Sequence, residues 1–388
     1  MKNPRRLCSL TILLTAPLAL LAVRGRAVAS PAKAYRAYVG TYTAKTHSKG
    51  IYEFEFDPAT GKMSAAQVAG ETKDPSWVVV HPNGKFLYSV NETGKASTVS
   101  AFAIEPGTGK LTQLNQMPAL GEDPCYLSID KTGKFLFVAN YTSGNVVVFP
   151  IFTDGKLGDR TAVAADQGAL GPNKERQDGP HAHWIQTSAD NHFVFVADLG
   201  LDRILAYRFD SAKGSLTPNS QFSSRLVDVG AGPRHGIFGI DGRYFYVVSE
   251  LKSTIYEFAY VSNRGLFGFI GAVPMLPKGF SGRNDAAEIE IHPSGKFLYA
   301  SNRGEDSIVV YAIDAKSGRL TPVEDVPTGG KEPRHFAIDP TGHFLLAENQ
   351  LSDTIVEFRI DPASGKLAPT GETLSVPSPV CIAFLGVQ

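Results

Sequence analysis

One turn returns seven times along this chain, and that count constrains the fold more than any other feature. It reads DPATGKM, EPGTGKL, FTDGKL, DSAKGSL, VSNRGLF, DAKSGRL and DPASGKL, with its glycine at Gly61, Gly109, Gly155, Gly214, Gly265, Gly318 and Gly365. Glycine suits the site because the backbone turns there through positive φ. A second turn recurs six times, as HPNGKFLY, DKTGKFLF, SADNHFVF, GIDGRYFY, HPSGKFLY and DPTGHFLL. Short alternating, aromatic or β-branched runs separate the turns, the pattern of strands joined as antiparallel hairpins. Residues 285–320 carry a whole unit: a run over 288–291, a turn at 293–295, runs over 296–300 and 307–313, and the closing turn at 316–318.

The missing copy of the second turn shows how the ends meet. Residues 35–41 read as a second strand without a first, and residues 379–384 as a first strand without a second. Joined, they complete a seventh unit. The expectation is all-β: a seven-bladed β-propeller with four antiparallel strands per blade and a closing blade shared by the N- and C-terminal strands. Sharing that blade leaves no open sheet edge at the seam. The blades run 379–388 with 34–73, then 74–122, 123–178, 179–231, 232–284, 285–331 and 332–378, within one domain over 30–388.

Ahead of that domain, Lys2, Arg5 and Arg6 precede an apolar run from Leu7 to Val23 and a small-residue site at Ala27-Val28-Ala29. Residues 1–29 therefore read as a secretory signal peptide, implying a periplasmic or secreted monomer with no membrane association after cleavage. Cys8 falls in this segment, and Cys125 and Cys381 are expected as free, partly buried thiols. The 38 basic and 38 acidic residues balance. A backbone-tracking nucleic-acid binder normally carries a basic excess, so that partner is not expected.

The Gly turns occupy one face of such a propeller. The other face carries the links between blades, and the longest irregular stretches, 164–179 and 273–285, lie there. Long loops on a rigid scaffold are where binding is usually placed. Counting outward from the turns pairs His181 with Asp198, Arg234 with Glu250, Glu288 with Asn302 and Arg334 with Gln350 at the channel mouth. His183 shares a strand face with His181. His235 and His335 follow an arginine and are expected to face the sheet interior, while His81 and His292 sit in the opposite turns and are expected on the surface. The His-x-His pair lacks a visible third and fourth ligand for zinc, and oxygen ligands for calcium do not assemble, so no metal and no cofactor are expected.

The segments YVGTYT, PHAHWI, GPRHGIF, VVSEL and YASNRGEDSI resemble the seven-bladed lactonase family, which includes propeller-type 6-phosphogluconolactonases and fungal carboxy-muconate cyclases. The resemblance runs from Tyr38 to the end of the chain. It implies hydrolysis of a sugar-acid lactone, with His181, Arg234, Glu250 and Arg303 as catalytic positions. His183, Glu288, Asn302 and Arg334 then become substrate-binding candidates for a small lactone or another anionic sugar acid. The family's phosphorylated-sugar role is intracellular while this chain opens on an export signal, so phosphorylation of the substrate stays open. Independently, lactone hydrolysis needs a base for water, donors for the oxyanion and a cation for any acidic group, and histidine with arginines supplies these types. His181 is the expected base. No Gly-x-Ser-x-Gly elbow points to an acyl-enzyme. Two other readings fit the same ring: a lactonising cyclase acting on a muconate, and a non-catalytic binding propeller.

Overall fold

The structure is a computed structural model that describes residues 34–219, 224–225 and 228–387. The signal-peptide reading of 1–29 lies outside the described residues. Seven antiparallel sheets are present among them, each with a path of four strands that is sequential in six of them and in the closing blade sets the last strand beside the first. The closing blade joins Pro379–Val387 to Ala34–Thr41, in register from Ala34 opposite Val387 to Thr41 opposite Pro379. The fourth blade gains a short extra pairing of Ser224–Arg225 with Arg203 and Ile204.

Neighbouring blades are latched by side chains that the repeat itself supplies. In four of the seven blades a tyrosine of the second strand reaches the closing-turn glycine of the next blade. Tyr38, Tyr88, Tyr246 and Tyr299 hydroxyls donate to the carbonyls of Gly109, Gly155, Gly318 and Gly365 at 2.7–2.9 Å. A side chain on those glycines is impossible as well as strained: a Cβ at Gly318 would fall 2.3 Å from the Tyr244 ring, and φ there is +71°. The turn histidines take part too, which corrects the surface placement expected of them. His292 is buried, with Nε2 at 2.8 Å from the Gly342 carbonyl of the next blade, and His81 makes the same contact with Gly133 at 2.9 Å. Apolar residues between blades then form seven core clusters.

Two local features aim side chains at the channel. First, the innermost strands carry a bulge near their start. Pro124 pairs with Asn140 but Tyr126 with Ala139, Ala182 with Asp198 but Trp184 with Ala197, Pro233 with Ser249 but His235 with Val248, and Pro333 with Asn349 but His335 with Glu348. The extra residue (Cys125, His183, Arg234 or Arg334) is re-aimed, as bulges beside functional sites commonly do. This shifts the pairings counted from the turns, which assumed a regular ladder. Second, in most blades the amide of the residue after the second strand is anchored to a carbonyl ahead of the first strand. Tyr42, Glu92, Tyr141, Glu250 and Gln350 donate in this way to Ser378, Asp74, Asp123, Gly232 and Glu332.

Candidate active site

These two rings meet at the loop-bearing mouth of the channel. A cavity of about 320 Å³ there is lined by Tyr42, Glu92, Tyr141 and Glu250 from the post-strand positions, by Arg303 at the end of its own second strand, and by Cys125, His183 and Arg334 from the bulges. Arg176 completes it, reaching in from the long loop before the fourth blade.

Glu250 is the electrostatic centre. Its carboxylate lies 3.0 Å from Arg234 Nε, 3.0 Å from Arg303 Nη2, and in direct contact with Arg176 Nη2. Burial opposes its ionisation, but Arg303, Arg234 and Arg176 outweigh that and hold the carboxyl well below the usual carboxylate range. Arg234 pays part of the cost, its guanidinium brought down to about 10 by burial and by Arg303 and Arg334. Arg176 also reaches Asp285 Oδ1 at 3.3 Å.

His183 is buried and neutral. Burial, with Arg234 adding to it, drops its imidazole well below the ordinary histidine value. Its Nδ1 lies 3.7 Å from the Cys125 sulfur, and among the described residues its Nε2 has no hydrogen-bond partner. Glu92 accepts from Ser76 Oγ at 2.5 Å and Tyr42 at 2.8 Å, and burial raises its carboxyl. Burial likewise pushes the Cys125 thiol up, away from thiolate chemistry.

Beneath the cavity lies a layer of packed rings. Trp77 packs on Tyr126 at 4.2 Å between ring centroids and on both His235 and His335 at 5.3 Å. These side chains come from four different blades and meet across the channel, with a further cavity of about 400 Å³ against Trp77, Tyr126 and His335. The expectation that His235 and His335 face the sheet interior is corrected here. The bulge gives two successive residues to the channel, so arginine and histidine both point inward. Glu288 joins this layer, 3.0 Å from His235 Nδ1 and 3.5 Å from His335 Nε2.

The expected residues thus separate into three groups. Arg234, Glu250 and Arg303 form one ion-paired unit, and His183 and Arg334 line the same cavity. His181 stacks on Tyr141 at 4.5 Å outside the lining, with its ring nitrogens 3.0 Å from the Tyr141 carbonyl and 2.9 Å from Asp178 Oδ1. Glu288 belongs to the layer below, and Asn302 is buried against Asn284, Ser307 and the Met275 carbonyl. Tyr42, Glu92, Cys125, Tyr141 and Arg176 were not anticipated. All but Arg176 occupy repeat positions equivalent to Glu250 or Arg234, so aligning every blade would have found them.

The seven-bladed β-propeller lactonase description matches residues 36–384 of the sequence. The chain belongs to that lactonase family. It is 38% identical over 351 residues to the 6-phosphogluconolactonase of Bacillus subtilis, covering 90% of this chain and 98% of the relative. A 6-phosphogluconolactonase of Formosa agariphila is 36% identical, over 77% of this chain and 85% of the relative. Among solved structures, the periplasmic gluconolactonase of Pseudomonas aeruginosa superposes with a TM-score of 0.87 at 34% identity, over 92% of this chain and all of that one. Within this lactonase fold, the described residues hold no group of three or more His, Cys, Asp or Glu side chains able to take a metal ion.

Proposed function

We propose that this protein hydrolyses a sugar-acid lactone at the mouth cavity, without a nucleotide cofactor. The observation carrying the reading is a neutral buried imidazole, His183, sharing a 320 Å³ cavity with Arg334 and with Arg176 and Arg303, which pair with one ionised carboxylate. The names of the relatives, 6-phosphogluconolactonase and gluconolactonase, support the same reaction class. A periplasmic relative also supports export of this chain, as does the character of residues 1–29.

In this reading His183 takes a proton from water as the water oxygen bonds to the lactone carbonyl carbon. Arg303 and Arg176 stabilise the negative charge that develops on the carbonyl oxygen, which fixed donors in a dry site do most effectively. The tetrahedral adduct collapses with cleavage of the ring C–O bond, and His183 returns its proton to the departing oxygen, giving the hydroxy acid. Glu250 touches no substrate; it holds the guanidiniums at fixed positions.

The test is ring opening of glucono-δ-lactone and its 6-phosphate by the protein lacking residues 1–29. His183→Gln should lower kcat/KM by about 10²- to 10⁴-fold, the usual worth of a positioned base. Because burial depresses the imidazole, the acid limb of wild-type kcat/KM should lie below pH 6.5. Wild-type rates in the variant would discard His183 as the base. Conversion of a muconate but of no lactone would favour a cyclase.

A further inference from the structure

Arg334 differs from the other arginines of the mouth in having no anion to hold. Arg176, Arg234 and Arg303 all reach Glu250. The Arg334 guanidinium has no ion pair or hydrogen bond to any described residue, and lies over the Tyr42 ring at 5.4 Å. Five N–H donors in a rigid fork are thus left for solvent or a ligand. Burial works against its charge, but Tyr42, Glu92 and Glu250 more than offset this, so it stays protonated.

Arg334 and Tyr42 also line a second cavity, of about 560 Å³, with Lys45, His47, Gln350 and Asp353 around it. Tyr42 and Arg334 are walls common to both, so the cavities adjoin at these two side chains. The Asp353 carboxylate there is already engaged by the Ser378 amide at 2.8 Å. Lys45 is exposed and has no partner among the described residues.

We propose that Arg334 and Lys45 form a subsite for an oxyanion that the lactone carries away from its carbonyl, a phosphate monoester or a carboxylate. A guanidinium presents two parallel N–H groups to either, with the ammonium adding charge at the far side. The subsite makes the protein select acidic lactones over neutral ones. It rests on the lactone reading of the adjoining cavity.

The experiment compares kcat/KM for glucono-δ-lactone, its 6-phosphate and a glucaric acid monolactone in wild type, Arg334→Gln and Lys45→Ala. Wild type should prefer a charged lactone by about tenfold or more, and whichever charged substrate leads identifies phosphate or carboxylate. Arg334→Gln should cut that preference about tenfold, and Lys45→Ala, at an exposed site that does not endanger folding, about threefold. An unchanged charged-to-neutral ratio in both variants overturns the subsite. If wild type opens no lactone, the reading of the adjoining cavity fails separately. Calorimetric titration of 6-phosphogluconate against gluconate then decides: tighter binding of the phosphate that Arg334→Gln abolishes supports the subsite, and equal binding overturns it.

Discussion

The fifth and seventh blades open their inner strands with the same tripeptide, Pro233-Arg234-His235 and Pro333-Arg334-His335, at the same bulge. The two copies nonetheless meet different fates. Arg234 is buried against Glu250 and donates to the Ala287 carbonyl at 2.8 Å, whereas Arg334 faces open space. The histidines diverge as well. Burial, Arg234, His183 and His335 hold His235 well below its ordinary value. His335 rises to about 9, because Glu348 at 2.7 Å and Glu288 overcome the effect of burial. The backbone is nearly the same in both. What differs is the second strand and the residue after it, which offer Val248 and Glu250 in one blade and Glu348 and Gln350 in the other. Repeat architecture therefore fixes where a charge sits, and the strand beside it fixes what that charge is free to do.

Removing the carboxylate that distinguishes the fifth blade is expected to have the largest effect. Glu250→Gln leaves Arg176, Arg234 and Arg303 facing one another without their common partner. Breaking a buried ion pair from one side costs about 3–5 kcal/mol. Urea unfolding should show that loss, and lactone turnover should fall with it as the arginines separate. A wild-type unfolding midpoint would mean that the arginines do not depend on Glu250.

The histidine contrast predicts a smaller, pH-dependent effect. His335 is raised from 6.5 to about 9, so its protonated form is favoured by folding. That stabilisation is fully present below pH 6.5 and is lost as pH rises through about 9. The loss is on the order of 3 kcal/mol at most, and Glu288 and Glu348, both raised by burial, act in the same direction. The Tm of wild type should therefore fall between pH 6.5 and 9, and His335→Gln should flatten that slope. A slope that survives the substitution would assign the effect to the glutamates.

Most of the fold was legible in the sequence because its turns are written in glycine, and glycine spacing counts blades directly. The split closing blade followed from a missing turn at the two ends. The bulges left no such mark. Counting outward from Gly242 placed Arg234 opposite Glu250, and the two side chains do meet, although the bulge means that their backbones are not paired. The same counting put His181 at the mouth, where the bulge instead delivers His183. Arg176 had no periodic signal, since it arrives from an irregular loop whose only legible property was its length.

The finest test of the comparison is to give the seventh blade the acid of the fifth. Glu250 and Gln350 occupy matching places: their amides donate to Gly232 and Glu332 at 2.8 and 3.0 Å, and the next residues, Leu251 and Leu351, donate to Ala231 and Lys331. Gln350→Glu should therefore bring a carboxylate to Arg334. A half-buried pair beside open space adds little more than the roughly 0–1 kcal/mol of a surface pair, so Tm should hardly move. Oxyanion affinity should fall about tenfold, because a ligand must now displace an internal partner, a difference of roughly 1.4 kcal/mol. Calorimetry with 6-phosphogluconate reads it. If affinity is unchanged while the variant stays folded, the residue after the second strand does not control Arg334, and the difference between the two blades must come from the loop carrying Tyr42 and Lys45.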